Sequence, residues 1–194
     1  GLGNGVGFFT DLGNDLVQDV FSVVWDRSVD KDIGVVKGQV LPEPTLAGYT
    51  FPDPHDPRFF EDIPGKINRY GDCFRVFQIG FSLYERAWTL RGMETLLVDM
   101  LINQAFVDEL LDRVLDFHIR TLDLTVKNLA IDAYFSGDDW CDQRGAIMGV
   151  DLWRRFFKPR LARLIERCHE HGLPFICHSC GNVLPLVDDL LEIG

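Results

Sequence analysis

A histidine and a cysteine one residue apart, His178-Ser179-Cys180, close the apolar run Phe175-Ile176-Cys177 and are followed by Gly181-Asn182. If this run is a strand, alternate side chains share a face. Ile176, His178 and Cys180 then point one way, and Phe175, Cys177 and Ser179 the other. Neutral imidazole and thiolate are ligands of Zn²⁺, so His178 and Cys180 on one strand end would supply half of a tetrahedral site. The other ligands must come from elsewhere in the fold. The competing reading is a strand-end His bonded to backbone beside an inert Cys. Placement at a strand's carboxyl end favours the site, and Gly181 lets a backbone approach a ligand closely.

A second group is Asp138-Asp139-Trp140 with Gln143 three residues on. Adjacent carboxylates repel when both are ionised, and a neighbouring indole lowers the local polarity, so one of the pair can hold a proton near neutrality. Asp138 and Asp139 are therefore the candidate acids, against the plainer alternative of a loop whose Asp caps the next turn. A third group, Gly80-Phe81-Ser82 followed by Arg86 and Arg91, puts a helix N-terminus where an anion could dock, or else is an ordinary charged helix face. Phe81, Arg86, Trp140 and Gln143 are the candidate substrate contacts. Ser82 has no evident His and Asp partners, and neither a P-loop nor a G-x-G-x-x-G pattern occurs. Cys168, His169 and His171 precede the 175 strand and fall at the opposite end of the sheet, where a helix C-terminus accounts for them.

The elements that must carry these groups follow from periodicity. Apolar residues at helical spacing over 106–129 predict a long amphipathic helix, followed by a strand over 131–135 and a helix over 151–171 that ends at Gly172 and Pro174. A buried strand is expected over 73–79, with helices over 82–90, 93–103 and 183–193. Upstream, 20–41 suggests a peripheral hairpin, 42–57 a Pro/Gly loop and 56–70 a helix. Alternating strands and helices mean a parallel sheet, whose functional groups gather at the strands' carboxyl ends. The whole chain reads as one domain, with 1–57 as its peripheral strand and loop region.

With 46% hydrophobic residues among 194, the chain can bury a core. Its 30 acidic and 19 basic residues give a net charge of −11 with scattered cations, which argues against a nucleic-acid partner. No run is long and apolar enough for a membrane span, and the five cysteines, an odd number, suit reduced thiols and a cytoplasmic setting. The start on Gly1 and the end on Gly194 suggest a piece of a longer protein.

Gly80-Phe81-Ser82-Leu83 with Arg91-Gly92-Met93-Glu94, then Gly137-Asp138-Asp139-Trp140 with Gln143, then Trp153-Arg154 and Phe157 before Pro159, then His178-Ser179-Cys180-Gly181-Asn182, resemble in order and spacing the uroporphyrinogen decarboxylase (URO-D) superfamily. The resemblance implies an α/β (β/α)₈ TIM barrel, here present as a fragment. It also implies one of two chemistries. The methyltransferase branch carries His-x-Cys and a much later Cys. By that likeness His178 and Cys180 are zinc ligands, the third lies beyond Gly194, and Asp139 and Gln143 line the cavity. The expected activity is transfer of a methyl group between a small methylated molecule and a corrinoid (cobalamin) on a partner protein. The decarboxylase branch needs no metal and would require Arg86 and Arg91 to face the cavity. An incomplete, inactive barrel is the third alternative. Cys141 stands where the family more often has Gly.

Overall fold

The computed structural model describes residues 8–61 and 63–194. The amino-terminal part is a four-stranded antiparallel meander, β1 (Phe9–Gly13), β2 (Leu16–Asp19), β3 (Val24–Asp26) and β4 (Val35–Lys37), ordered β1-β2-β3-β4. The expected hairpin is thus the second half of a larger sheet, since Leu16 to Asp19 also pairs with β1. Nor is this region loosely attached. Phe8, Phe21, Val23, Trp25 and Leu41 are buried in the common core. The part of the expected 1–57 region before residue 8 lies outside the described residues.

A 3₁₀ turn at Pro57–Phe59 and α1 (Ile63–Arg69) replace the single helix expected over 56–70. The strand expected over 73–79 shortens to β5 (Val76–Ile79) and is buried on one face only, with Phe77 and Ile79 inside and Val76 and Gln78 outside. Three helices follow, α2 (Leu83–Arg91), α3 (Met93–Ile102) and α4 (Gln104–Asn128). Gly92, at φ 87° and ψ 134°, makes the corner between the first two in a conformation that glycine, without a Cβ, adopts readily. The apolar stripe of α4 is the best-formed part of the core, with Val107, Leu110, Leu111, Val114, Leu115 and Leu122 all buried.

Strand β6 (Ala133–Gly137) starts two residues later than the periodicity suggests, so Ser136 and Gly137 belong to it. The helix expected over 151–171 is two helices, α5 (Val150–Phe156) and α6 (Lys158–Glu170). Pro159, which has no N–H to donate, opens the second and breaks a hydrophobic period that runs through both. β7 (Phe175–His178), a 3₁₀ turn at Leu184–Leu186 and α7 (Val187–Glu192) complete the chain.

β5, β6 and β7 form a parallel sheet with β6 in the middle, parallel as the alternation of strands and helices implies. The described residues hold three parallel strands rather than the eight that close a barrel, so the complete TIM barrel is not what this chain displays. One sheet face packs on the helices through Phe77, Ile79 and Tyr134. The other presents Gln78, Ile176 and His178 to solvent. Among the described residues no helix is long and apolar enough to cross a membrane.

Candidate metal centre

The register of the parallel sheet sets Gly137 opposite His178, so the loops leaving β6 and β7 start level with each other. The Asp138 backbone N–H donates to the His178 carbonyl at 3.0 Å and carries the pairing one residue further. Consecutive residues then diverge. Asp138 turns inward and is 1% exposed, whereas the Asp139 side chain stays 39% exposed and faces β7.

The Asp138 carboxylate accepts three hydrogen bonds, from the Tyr84 N–H at 2.9 Å, the Glu85 N–H at 2.8 Å and the Trp140 indole Nε1–H at 2.7 Å. It therefore caps the amino terminus of α2 from across the sheet, where Ser82 at the N-cap makes no side-chain cap bond. Burial pushes its pKa up to about 6, against the opposing pull of those donors. Asp138 does not open onto solvent as an acid available to a ligand. Of the two candidate acids, Asp138 is thus a buried clasp and Asp139 its accessible neighbour.

That neighbour, Asp139, accepts the Cys180 backbone N–H on Oδ1 at 2.7 Å. The same oxygen lies 3.6 Å from His178 Nε2, which is itself 3.6 Å from Cys180 Sγ. A carboxylate oxygen, an imidazole nitrogen and a thiol sulfur are thus within 4.8 Å of one another. His178 and Cys180 do share a side of the strand end, as the two-residue period requires. The third partner comes from the β6 loop within this chain. The sequence marks Asp139 as an acid and gives no sign that it neighbours residue 180.

The two loops also touch backbone to backbone. Gly181, at φ 83°, lies so close to the Cys141 and Asp142 carbonyls that a Cβ would collide with both, and the Asn182 N–H donates to the Asp142 carbonyl at 2.7 Å. Its close approach in this structure is to the β6 loop. Ser179 Oγ accepts the Trp140 N–H at 3.0 Å.

The electrostatics favour a cation. Glu85, not singled out in the sequence, has its pKa raised to about 8 by burial first, then by Asp138 and Asp139. Hydrogen bonding and charge from Asp139 raise the Cys180 thiol, with Glu85 adding to the effect. Carboxylates and a thiol that hold one another's protons on are the arrangement that a divalent ion relieves.

The other expected contacts lie elsewhere. Trp140 is buried edge-on against Trp153, ring centres 5.5 Å apart. Arg86 is buried, donates to Asp19 Oδ2 at 2.7 Å and sits 4.1 Å over the Phe21 ring. Arg91 is buried too, bonded to Asp99 at 2.6 Å and to the carbonyls of Leu41 and Pro42. Phe81, in a left-handed conformation at φ 55°, packs on Trp25 at 4.9 Å. Gln143 is exposed and stands outside the three-ligand group. Cys168 is buried, with its thiol pushed up to about 12, and His171 pairs with Asp123 at 2.7 Å. An apolar cavity of about 320 Å³ lies between α1 and the amino ends of β5 and β6, at the other end of the sheet from Asp139, His178 and Cys180.

Residues 82–194, from the α2 N-cap to the end of the chain, match the family model described as uroporphyrinogen decarboxylase (URO-D). Among solved structures, a methyltransferase from Methanosarcina mazei is similar in fold, with a TM-score of 0.69 and 21% sequence identity. The match covers 82% of this chain and 47% of that one, so this chain spans about half the length of its structural neighbour. No curated protein matches it.

Proposed function

Because the chain belongs to the uroporphyrinogen decarboxylase (URO-D) family, we propose that it supplies the zinc-binding strand ends of a methyltransferase of that family. The reaction would move a methyl group between a small methylated substrate and a corrinoid carried by a partner protein. The observation that carries this reading is the convergence of Asp139, His178 and Cys180 within 4.8 Å. Their oxygen, nitrogen and sulfur donors suit Zn²⁺, whereas Mg²⁺ and Ca²⁺ prefer all-oxygen sites. Zinc bound there would act as a Lewis acid, lowering the pKa of a substrate thiol or polarising a methyl donor.

The chain's own residues would do the rest. His178 and Cys180 offer their donors at the end of β7, and Asp139 orients Cys180 through its backbone amide. Cys180 must give up its thiol proton to become a ligand, which Asp139 and Glu85 oppose until a cation is present. The half-exposed His178 and Asp139 leave the group open on the solvent side, where a substrate could enter. The decarboxylase alternative finds less support. It would use Arg86 and Arg91 to grip carboxylates, and both are buried and committed to Asp19 and Asp99.

Metal content by mass spectrometry, on protein purified without chelator, tests the reading. About one zinc per chain is expected, lost in His178→Ala and Cys180→Ser and kept in Cys168→Ala, with circular dichroism confirming that all three variants fold. Wild-type protein without zinc, or zinc retained in Cys180→Ser, would overturn it.

A further inference from the structure

Asp138 touches every element that delivers a member of the ligand group. Its side chain holds the first free amides of α2, those of Tyr84 and Glu85, and its backbone N–H holds the end of β7 at the His178 carbonyl. Its Oδ2 also accepts the indole N–H of Trp140, the residue on the far side of Asp139. Asp139 consequently lies between Asp138, pinned to α2 and to His178, and a Trp140 whose indole the Asp138 carboxylate holds. Trp140 is fixed further by the Trp153 ring and by the bond from its N–H to Ser179 Oγ. With its backbone held this way, Asp139 points its carboxylate at the Cys180 amide and the His178 ring.

We propose that Asp138 is a positioning residue, neither ligand nor acid, that fixes Asp139 for metal binding by clasping the amino terminus of α2 to the β6 loop. The proposal rests on the zinc reading above and deepens it. An ion's outer partners govern affinity by orienting the inner ones. Asp138→Asn is the informative change, since it keeps the volume but leaves a single acceptor oxygen for three donors, so that an N–H must face an NH₂.

The test is a double-mutant cycle on zinc affinity, measured by chelator competition well below the unfolding temperature of each variant. Asp138→Asn should weaken zinc binding by about 10–100-fold. In an Asp139→Ala background it should add almost nothing, because the carboxylate through which it acts is already gone. Unchanged affinity in Asp138→Asn, or an equal further loss in the Asp139→Ala background, would overturn the proposal. Asp19→Asn, which loosens α2 through Arg86 without touching this loop, should lower stability while leaving zinc affinity within twofold.

A metal-independent measurement separates this idea from the zinc reading itself. Hydrogen exchange at the Cys180 amide, which Asp139 protects, should accelerate in Asp138→Asn towards the rate seen in Asp139→Ala, which has no acceptor there. If wild-type protein binds no zinc, the functional reading fails and this exchange result alone decides the positioning role. An unaltered Cys180 amide would then refute it.

Discussion

Asp139 and Cys180, 41 positions apart in the chain, meet through a 2.7 Å hydrogen bond from the cysteine's backbone N–H to the carboxylate Oδ1. The contact binds the loop after β6 to the loop after β7 and sets a negative charge beside a thiol. That charge, with its hydrogen bonding, holds the Cys180 pKa above the ordinary thiol range. Asp139→Asn should therefore shift the pH midpoint of Cys180 alkylation downward in metal-free protein and raise its rate several-fold near neutral pH. Iodoacetamide kinetics across pH, with Cys180 identified by peptide mapping, would show this. An unmoved midpoint would mean the carboxylate is not felt by the sulfur.

The fully buried Arg86–Asp19 pair joins α2 to the antiparallel meander. Asp19 also accepts the N–H groups of Phe21 and Val23 and the Trp25 indole, so its removal strands several donors at once. Asp19→Ala is expected to cost about 3–5 kcal/mol, the usual penalty for breaking a buried pair by deleting one partner. Urea denaturation would record it as a lower midpoint. Replacing Arg86 and Asp19 together with apolar residues of like volume should be milder than either single change.

Gly181 and Gly13 both have positive φ, but only Gly181 is crowded. Gly13→Ala should cost only the left-handed backbone penalty of about 1 kcal/mol. Gly181→Ala adds a collision with the Cys141 and Asp142 carbonyls and should cost more and lower zinc affinity, because the two loops are forced apart. Chemical denaturation and metal titration of both variants would separate strain from collision.

His118 is buried on α4 with Nδ1 3.1 Å from the Tyr134 hydroxyl, and burial, reinforced by Arg86, lowers its pKa to about 3. A depressed folded-state pKa gives stability that is complete above the ordinary value of about 6.5 and drains as the pH falls towards 3, at up to about 1.4 kcal/mol per unit. Glu85 and Asp138, raised to about 8 and 6, act in the opposite sense, since acidification protonates them more readily in the folded state. The difference between wild type and His118→Gln isolates the histidine. The variant should lose less stability between pH 6.5 and pH 4, and parallel curves would exclude the assignment.

Local chemistry made much of this legible. The helical stripe of α4 and the two-residue period that puts His178 beside Cys180 need no knowledge of the fold. The role of each aspartate was not legible, because it depends on a helix amide 54 residues upstream that takes Asp138 and leaves Asp139 free. Arg86 looks available for a ligand until Asp19, from a strand that the sequence assigns to the periphery, claims it. The break between α5 and α6 was marked by Pro159, but the apolar period continues through it and hides the corner.

Among the described residues, β6 is hydrogen-bonded along both edges and β7 along one. The ligand group straddles that divide, with Asp139 leaving the inner strand and His178 and Cys180 belonging to the outer. An ion shared among them would tie the loop after β6 to the end of β7. Occupancy would then add about 2.7 kcal/mol to the stability of this chain when free metal stands a hundredfold above its dissociation constant. Metal supply would set how firmly the two strand ends stay joined, quite apart from any chemistry at the ion.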